Sequence, residues 1–462
     1  MLVEYKSGQG LLRAGKVSTT GKKGRFMNRR DFIGMAGTGI ALAGSSLGAG
    51  KRLRVGMIGT GNRGSSLLKI ALMFEDIDIP GLCDINKENL ASAQDLVVTS
   101  GRKKPDDYSA GEEDYKRLID RDDIDAVLIA TPWEWHTPMA VYAMKAKKYT
   151  GVEVPAAITI DECWELINTQ EQTKTPCMML ENWSFRRDNL AVLNMIREGM
   201  LGEITYAHCA YAHDCNDVWF FDDRGNLRWP GKYLTKRNAD QYPTHGLGPV
   251  LSWMDVNCGD YPAYLTSTAT RAVSVNRHIQ KKFGANHPMA KQQFKQGDIV
   301  VSVIKTIQGK TIVVYNDMVS PRPYDNRWQV SGTNGVYSHE HNSIYIEGVS
   351  VTPGGEHVWE AFEPYQQKYD HAWHREIRDI VGKLKTGVMA HGAPDYLEIK
   401  MFVEAARDNK PLPLDIYDSV VMSAPVPLSD ISIAKGSAPV PFPDFTRGNW
   451  RTRKPYFALA EA

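Results

Sequence analysis

The sequence predicts two domains in series: an α/β domain whose parallel sheet is wound by crossover helices, then an α+β domain with a mostly antiparallel open sheet. Three observations carry this. From Arg52 to about Val154, short apolar runs alternate with helical periods, as in strands joined by crossover helices. A glycine-rich turn, Gly59-Thr60-Gly61-Asn62-Arg63-Gly64, directly follows the first run. Beyond Glu198 the chain changes to β-branched and aromatic runs punctuated by Gly, Asn and Pro, the composition of antiparallel sheet.

In order, residues 53–58 read as the first strand, 65–74 as the helix after the turn and 77–83 as the second strand. A buried strand follows at 124–130, a helix at 137–147 and a short strand at 150–154. Residues 159–173 are helical by period, 177–181 form a strand ending at Asn182, and 190–198 form a helix. Strands of the second domain are expected at 202–211, 265–275, 299–306, 311–317 and 328–336. The domains so drawn are 51–182 and 183–424, with a Pro-rich tail, 425–462, expected to wrap the surface without regular structure.

The glycine turn gives the first domain its chemistry. Gly59 permits the tight turn, Gly61 lets backbone N–H groups approach a diphosphate, and Gly64 allows helix and strand to pack closely. The anion then sits on a helix N-terminus. Asp84 closes the next apolar stretch about 20 residues on, where a carboxylate accepts from ribose hydroxyls and repels a 2′-phosphate. The first domain is therefore expected to be a Rossmann domain binding NAD rather than NADP. Ligands in such sheets lie outside the carboxyl ends of the strands. That singles out Asn62, Arg63, Asp84, the segment Pro132 to His136, and Glu153.

Upstream, Met27-Asn28-Arg29-Arg30-Asp31-Phe32 precedes a small-residue apolar run from Met35 to Ala49, which reads as a twin-arginine export leader. The run is too short and too rich in Gly and Ala for a membrane span. Residues 1–26 are polar and basic and precede a second start at Met27, so residues 1–50 are read as an upstream extension plus leader. The expected location is periplasmic or otherwise exported, with the twin-arginine machinery as a partner. A folded protein exported this way could carry a dinucleotide loaded in the cytoplasm, which favours a cofactor regenerated within each turnover.

The 42% hydrophobic and 24% charged content is that of a soluble globular enzyme. A formal net charge of +1 gives no case for nucleic acid or an anionic membrane surface. Six cysteines, Cys83, Cys163, Cys177, Cys209, Cys215 and Cys258, lack the C-x-x-C spacing of a zinc site. Cys209 and Cys215 could pair in an oxidising compartment; the others read as small buried residues.

Trp133-Glu134-Trp135-His136 falls at a strand end, where a proline-led turn could wrap the nicotinamide ribose while the aromatics close a dry pocket. The alternative is that the tryptophans are core and His136 caps a helix. Tyr242-Pro243-Thr244-His245 begins a helical segment and sets a phenol beside an imidazole. Histidine there could take a hydroxyl proton as hydride leaves, or could simply cap the helix. Tyr211, with His213 and Asp214, ends the first strand of the second domain, and Tyr324 sits in a loop. His371 and His374 have the spacing but not the third ligand of a metal site, and no metal is expected.

Together, the glycine turn, Trp133 to His136, Ala143-Met144-Lys145, Glu153-Val154, Leu180-Glu181-Asn182, Arg186-Arg187-Asp188 and Tyr242 to His245 resemble the Gfo/Idh/MocA oxidoreductase superfamily. Within it the chain is most similar to the NAD-dependent α-N-acetylgalactosaminidases, glycoside hydrolase family 109. The resemblance runs from about Arg52 to Thr446. It implies an NAD cradle of Gly59, Gly61, Asn62, Arg63, Gly64, Asp84, Trp133, Glu134, Trp135, His136, Glu153, Val154 and Asn182. It implies a carbohydrate substrate held by Tyr211, Arg228, Tyr242, Pro243, Thr244, His245 and Tyr324, with His245, Tyr242 and Tyr211 as catalytic candidates. In the family's mechanism the sugar 3-hydroxyl is oxidised to a ketone by bound NAD, the C2 proton is removed, the aglycone leaves from C1, water adds, and the retained cofactor restores the hydroxyl.

The sequence departs from the family in two places. Phe185 stands where the family has a tyrosine proposed to carry the C2 proton, leaving Tyr211, Tyr242, His245 or a bound water for that task. The substrate-contacting arginine that follows a tryptophan is displaced: Trp229 is followed by Pro230 and preceded by Arg228. In addition, Glu153-Val154-Pro155 lacks the lysine usual in the wider superfamily, which agrees with the glycosidase branch. A sugar dehydrogenase that releases a 3-keto product, and a carbohydrate-binding protein with structural NAD, are the alternative readings. An exposed face on the second sheet would suit a homodimer.

Overall fold

The structure, a computed structural model, describes residues 52–380 and 391–459. The segment read from sequence as an export leader lies outside the described residues.

The first sheet is parallel, with strands β1 (Leu53–Ile58), β2 (Ile77–Cys83), β3 (Asp106–Tyr108), β4 (Ala126–Ile129), β5 (Tyr149–Val152) and β6 (Cys177–Met179) in the order β3-β2-β1-β4-β5-β6. That is the doubly wound dinucleotide-binding order, and its direction reverses between β1 and β4. Strands β4 and β6 are buried along their whole length, as expected of a parallel sheet covered on both faces. The crossover helices are α1 (Asn62–Ala71), α2 (Lys87–Thr99), α3 (Tyr115–Ile119), α4 (Trp133–Lys145) and α5 (Ile160–Thr173). Helix α2 begins at Asn86, whose side chain accepts from the N–H groups of Glu88 and Asn89. Helix α5 begins with a reciprocal Thr159/Glu162 capping box.

Helix α4 starts four residues before the expected 137, so Trp133 to His136 form its first turn rather than a wrapping loop. Pro132, in an extended conformation, leads directly into it.

After α6 (Arg187–Arg197) the chain enters the second sheet: β7 (Ile204–Ala212), β8 (Pro262–Ala269), β9 (Val300–Thr306), β10 (Thr311–Asp317), β11 (Gln329–Gly332), β12 (Gly335–Ser338), β13 (Ser343–Ile346), β14 (Glu360–Ala361) and β15 (Val440–Pro441). Their order is β14-β13-β12-β11-β7-β10-β9-β8-β15. Only the β7/β10 pair is parallel, so the sheet is mixed and mostly antiparallel. Helix α7 (Thr244–Trp253) packs on β7.

Three expectations give way here. Residues 328–336 are two strands of a hairpin, because Gly332 and Gly335 bracket a tight turn. The strand expected at 265–275 stops at Ala269, and α8 (Ser274–Phe283) follows, its first N–H groups accepted by the Asp298 carboxylate from a distant loop. The tail is not an irregular wrap. Pro425 opens a helix whose first turn needs no N–H at that position, and this helix packs on β8, with Ser432 Oγ accepting from Ser267 N at 2.8 Å.

Helices α9 (Ala393–Asp408), α10 (Ile416–Ser423) and α11 (Pro425–Ala434) close the chain. Although α9 and α10 follow the second sheet, α9 packs against α1 and β1, and α10 against α5 and β6. Residues 393–423, assigned by sequence to the second domain, therefore cover the first. All six cysteines are free thiols, Cys209 and Cys215 included. Among the described residues no helix is long and apolar enough to cross a membrane.

Candidate active site

Five chain segments deliver side chains to the carboxyl edge of the first sheet. The glycine turn follows β1, Asp84 follows β2, Thr131-Pro132 follows β4, Glu153 follows β5, and Glu181 follows β6. Gly59 has φ +83°, and a Cβ there would lie 2.5 Å from the Ala130 carbonyl oxygen. A Cβ on Gly64 would lie 1.9 Å from the Gly59 oxygen. Gly61 is different: a Cβ would meet nothing closer than Asn89 Nδ2 at 3.7 Å. The turn thus needs Gly59 and Gly64 for its own packing, while Gly61 keeps open space above it. Helix α1 begins there with no side-chain cap, so its first N–H groups remain available to an anion. Asn62 is exposed at the same edge. Asp84 Oδ2 accepts from Thr60 N at 2.7 Å and Thr60 Oγ1 at 3.0 Å, and Oδ1 from Asn86 N at 2.7 Å. These residues fit a dinucleotide: donors for its diphosphate, room for its approach, and an acidic group at the ribose position.

Arg63 is occupied elsewhere. Its Nε donates to Glu153 Oε1 at 2.5 Å, Nη1 to Asp395 Oδ2 at 2.8 Å, and Nη2 stands 3.8 Å from Glu398 Oε2. Asn182 Nδ2 donates to Asp395 Oδ1 at 2.6 Å, and His391 Nδ1 is 3.4 Å from Oδ2. Asp395 and Glu398, both on α9 and both fully buried, behave oppositely. Burial works to raise Asp395, but Arg63 and His391 beside it hold it well below the usual carboxylate range. Glu398 has neither oxygen hydrogen-bonded, and burial pushes it well above that range, against the pull of Arg63. Sequence reasoning missed both. They lie among Tyr396, Leu397 and Ile399 on a buried face, and no local pattern marks them.

The Trp-Glu-Trp-His segment divides. Trp133 is buried against Trp229, Tyr233 and Tyr242, with centroids 5.3, 5.0 and 5.8 Å away. Glu134 Oε2 accepts from Tyr233 Oη at 2.8 Å, tying the first domain to the second. Trp135 turns instead to Tyr115 on α3. His136 is buried with Nδ1 2.7 Å from the Pro155 oxygen and Nε2 2.8 Å from the Thr131 oxygen. Its ring braces two strand-end loops rather than facing the cleft, and Val154, also buried, lies beside it in sequence.

The second domain contributes a cluster of rings. Tyr211 at the end of β7 lies 4.7 Å from Tyr242, 5.7 Å from His245 and 5.6 Å from Tyr324, centroid to centroid. Tyr242 is 5.1 Å from His245, and Trp219 approaches both tyrosines. Burial pushes the phenols of Tyr211 and Tyr242 well above their ordinary range, so at neutral pH they donate protons and do not remove them.

His245, at the start of α7, is anchored from the first domain. Its Nδ1 lies 2.7 Å from Glu181 Oε1. Glu181, fully buried, also accepts from Trp183 N at 3.1 Å, Ser184 N at 2.8 Å and Ser184 Oγ at 2.6 Å. A carboxyl surrounded by donors is an acceptor, so the imidazole carries its proton on Nδ1 and leaves Nε2 free. Gly248 makes this approach possible, for a Cβ there would stand 1.9 Å from Glu181 Oε2. Glu181 entered the sequence reading only within a quoted motif; its place at a strand's carboxyl end is the signal that could have singled it out. Pro243 leads into α7, and Thr244 has its hydroxyl buried without a partner.

Other expected residues lie apart. Arg228 is exposed at the rim, its Nη1 donating to the Val218 oxygen at 3.0 Å, and it is the neighbouring Trp229 that reaches Trp133. Phe185 is fully buried against Trp373 and Phe457. The ring at this position packs in the core. His371 and His374 approach the Ala458 and Phe185 carbonyl oxygens at 3.0 and 2.7 Å. Among the described residues no cluster of His, Cys, Asp and Glu is placed to hold a metal ion.

The fold and the crevice define an NAD-binding oxidoreductase domain joined to a sheet domain that completes the site. Residues 53–181 match the family described as "Oxidoreductase family, NAD-binding Rossmann fold", and residues 185–452 match "Glycosyl hydrolase 109, C-terminal domain". The chain is 40% identical over 425 residues to an alpha-N-acetylgalactosaminidase of Tannerella forsythia, covering 88% of this chain and 89% of that one. It is 38% identical over 459 residues to a glycosyl hydrolase family 109 protein of Stenotrophomonas maltophilia (strain K279a), covering 94% and 98%. Among solved structures, levoglucosan dehydrogenase in complex with NADH and L-sorbose superposes with a TM-score of 0.63 at 20% identity, covering 86% of this chain and all of that one. An NAD binding oxidoreductase from Klebsiella pneumoniae gives 0.63 at 16%, covering 85% and 99%. These two show the shared fold. The chain belongs to glycosyl hydrolase family 109, and is an NAD-dependent glycoside hydrolase of the Gfo/Idh/MocA type.

Proposed function

We propose that the protein hydrolyses α-N-acetylgalactosaminides, or closely related glycosides, through a transient ketone at C3 of the sugar. The observation that carries this is the Glu181–His245 pair inside the ring cluster, beside the dinucleotide crevice. When bound, NAD supplies the hydride acceptor and, once reduced, the donor that restores the sugar. The chain's residues do the rest. Imidazole is suited to exchanging protons near neutrality, and His245 Nε2 takes the proton of the 3-hydroxyl as C3 is oxidised. The ketone acidifies the proton on C2; its removal expels the aglycone from C1, and water adds in its place. With Phe185 turned into the core and the Tyr211 and Tyr242 phenols held protonated, the base for C2 is a bound water, or His245 once it has released the hydroxyl proton to solvent. The phenols donate to the oxygen on which charge develops. Glycoside and water become sugar and alcohol with no net change of oxidation state.

Such a cycle needs a retained cofactor, and we read the NAD as tightly bound. The Arg29-Arg30 leader supports the same reading: a folded protein exported to the periplasm would carry its cofactor along. The half-exposed alternate residues of β9 and β10 offer a face for a second copy of the chain.

The test uses purified protein, 4-nitrophenyl α-N-acetylgalactosaminide and no added NAD. Many equivalents of nitrophenol should appear per protein, and the sugar released in D2O should carry deuterium at C2. Accumulation of one equivalent of reduced cofactor with no further release would instead mark a dehydrogenase.

A further inference from the structure

The turn Asn182–Phe185 does a second thing besides holding His245 through Glu181. Trp183 Nε1 donates to the Tyr324 hydroxyl at 2.6 Å, a contact from the strand-end turn of the first domain to a loop of the second. The indole also lies 5.9 Å from His245 and 5.1 Å from His391, centroid to centroid. Tyr324 rises from an exposed loop and is 39% exposed, yet its ring stands 5.6 Å from Tyr211 and 5.4 Å from His213.

A phenol has one proton to give and lone pairs to receive. With the indole N–H directed at its oxygen, the group Tyr324 has left to offer a ligand is its own proton. Free in water the same hydroxyl would act either way.

We propose that Trp183 is a positioning residue: it spends its N–H on the Tyr324 oxygen and so presents Tyr324 to the carbohydrate as a hydrogen-bond donor, selecting an acceptor oxygen of the sugar at that point. The selection is strong in one direction, because a sugar lacking that oxygen leaves a site group unpaired. One four-residue turn therefore sets both the base, through Glu181, and a point of substrate recognition, through Trp183. This assignment rests on the glycosidase reading only for the identity of the sugar.

The experiment has two arms. Tyr324 is replaced by 3-fluorotyrosine in the full chain and its ionisation followed by 19F NMR, with and without Trp183→Phe. Loss of the indole donor should raise the pH at which the fluorophenol ionises; an unchanged titration overturns the proposal. In the second arm, Trp183→Phe and Tyr324→Phe should each raise KM for 4-nitrophenyl α-N-acetylgalactosaminide by about tenfold, the loss of one hydrogen bond, with the change falling on KM more than on kcat. The double variant should be no worse than Tyr324→Phe alone. Additive effects, or an unaltered KM in Tyr324→Phe, would refute the assignment even if Trp183→Phe failed to fold. Absence of turnover in the unaltered protein would remove the glycosidase reading, while the fluorine titration still decides the role of Trp183.

Discussion

Glu181 and His245 come from different domains, and the pair exists only because Gly248 has no side chain. Glu181→Gln removes the carboxylate that fixes the imidazole proton on Nδ1. We expect kcat to fall about 10²-fold or more, the scale of positioned acid–base catalysis. His245→Ala should cost at least as much, and the double variant no more than His245→Ala, because the two act as a unit. Gly248→Ala should lower both kcat and the melting temperature, since its methyl would stand 1.9 Å from the carboxylate. Full activity in Glu181→Gln would make the pair structural. Asp240 offers a separate check. It is buried, its carboxyl accepts through Oδ1 from Tyr242 N while Oδ2 has no partner among the described residues, and burial pushes that carboxyl up to about 7. The folded state binds that proton more tightly than the unfolded chain, so its contribution to stability is present in acid and fades as pH rises towards 7. Melting curves between pH 5 and 8 should show a shallower decline for Asp240→Asn than for the unaltered protein.

Helix α9 carries two buried carboxyls around a single guanidinium, one held below the usual carboxylate range and one pushed above it. Asp395→Asn removes a charge that compensates Arg63 and a partner of Asn182, and should destabilise the protein by about 3 kcal/mol, as broken buried pairs do. Glu398→Gln keeps the shape and removes a carboxyl that burial pushes towards its neutral form, and should change stability by less than about 1 kcal/mol. Chemical denaturation of both variants checks this; equal losses would mean that Glu398 is ionised after all. Strands β1, β2 and β10 have the same bounds in the structure as in the sequence reading, because long apolar runs in a parallel sheet, and strict alternation in an antiparallel one, mark their own period. The helix α8 was illegible because Asp298, more than twenty residues away, supplies its first acceptors. The proline-rich tail misled because Pro425 and Pro427 fall in a helix's first turn, where proline is tolerated.

At the scale of the whole molecule the first domain is not a contiguous stretch of chain. Its sheet is covered from beyond residue 390 by α9 and α10, and Arg63 is neutralised from there. A fragment of residues 51–182 should therefore fail to show a cooperative melting transition by circular dichroism. The full protein should melt in one transition that NAD raises as a whole. An independently folding fragment would show that the two helices are dispensable.

The sequence by itself determined the dinucleotide-binding turn after the first strand, and that Tyr211 ends a strand while Tyr242 and His245 open a helix. Those features are local: a turn that only glycine can make, and side chains that follow a strand end by a few residues. The tertiary structure alone decided that His245 meets Glu181 and Trp183 meets Tyr324, that Arg63 faces α9, and that Phe185 lies in the core. Each of these depends on how separate stretches of chain pack, and packing brings together residues that no spacing along the sequence relates.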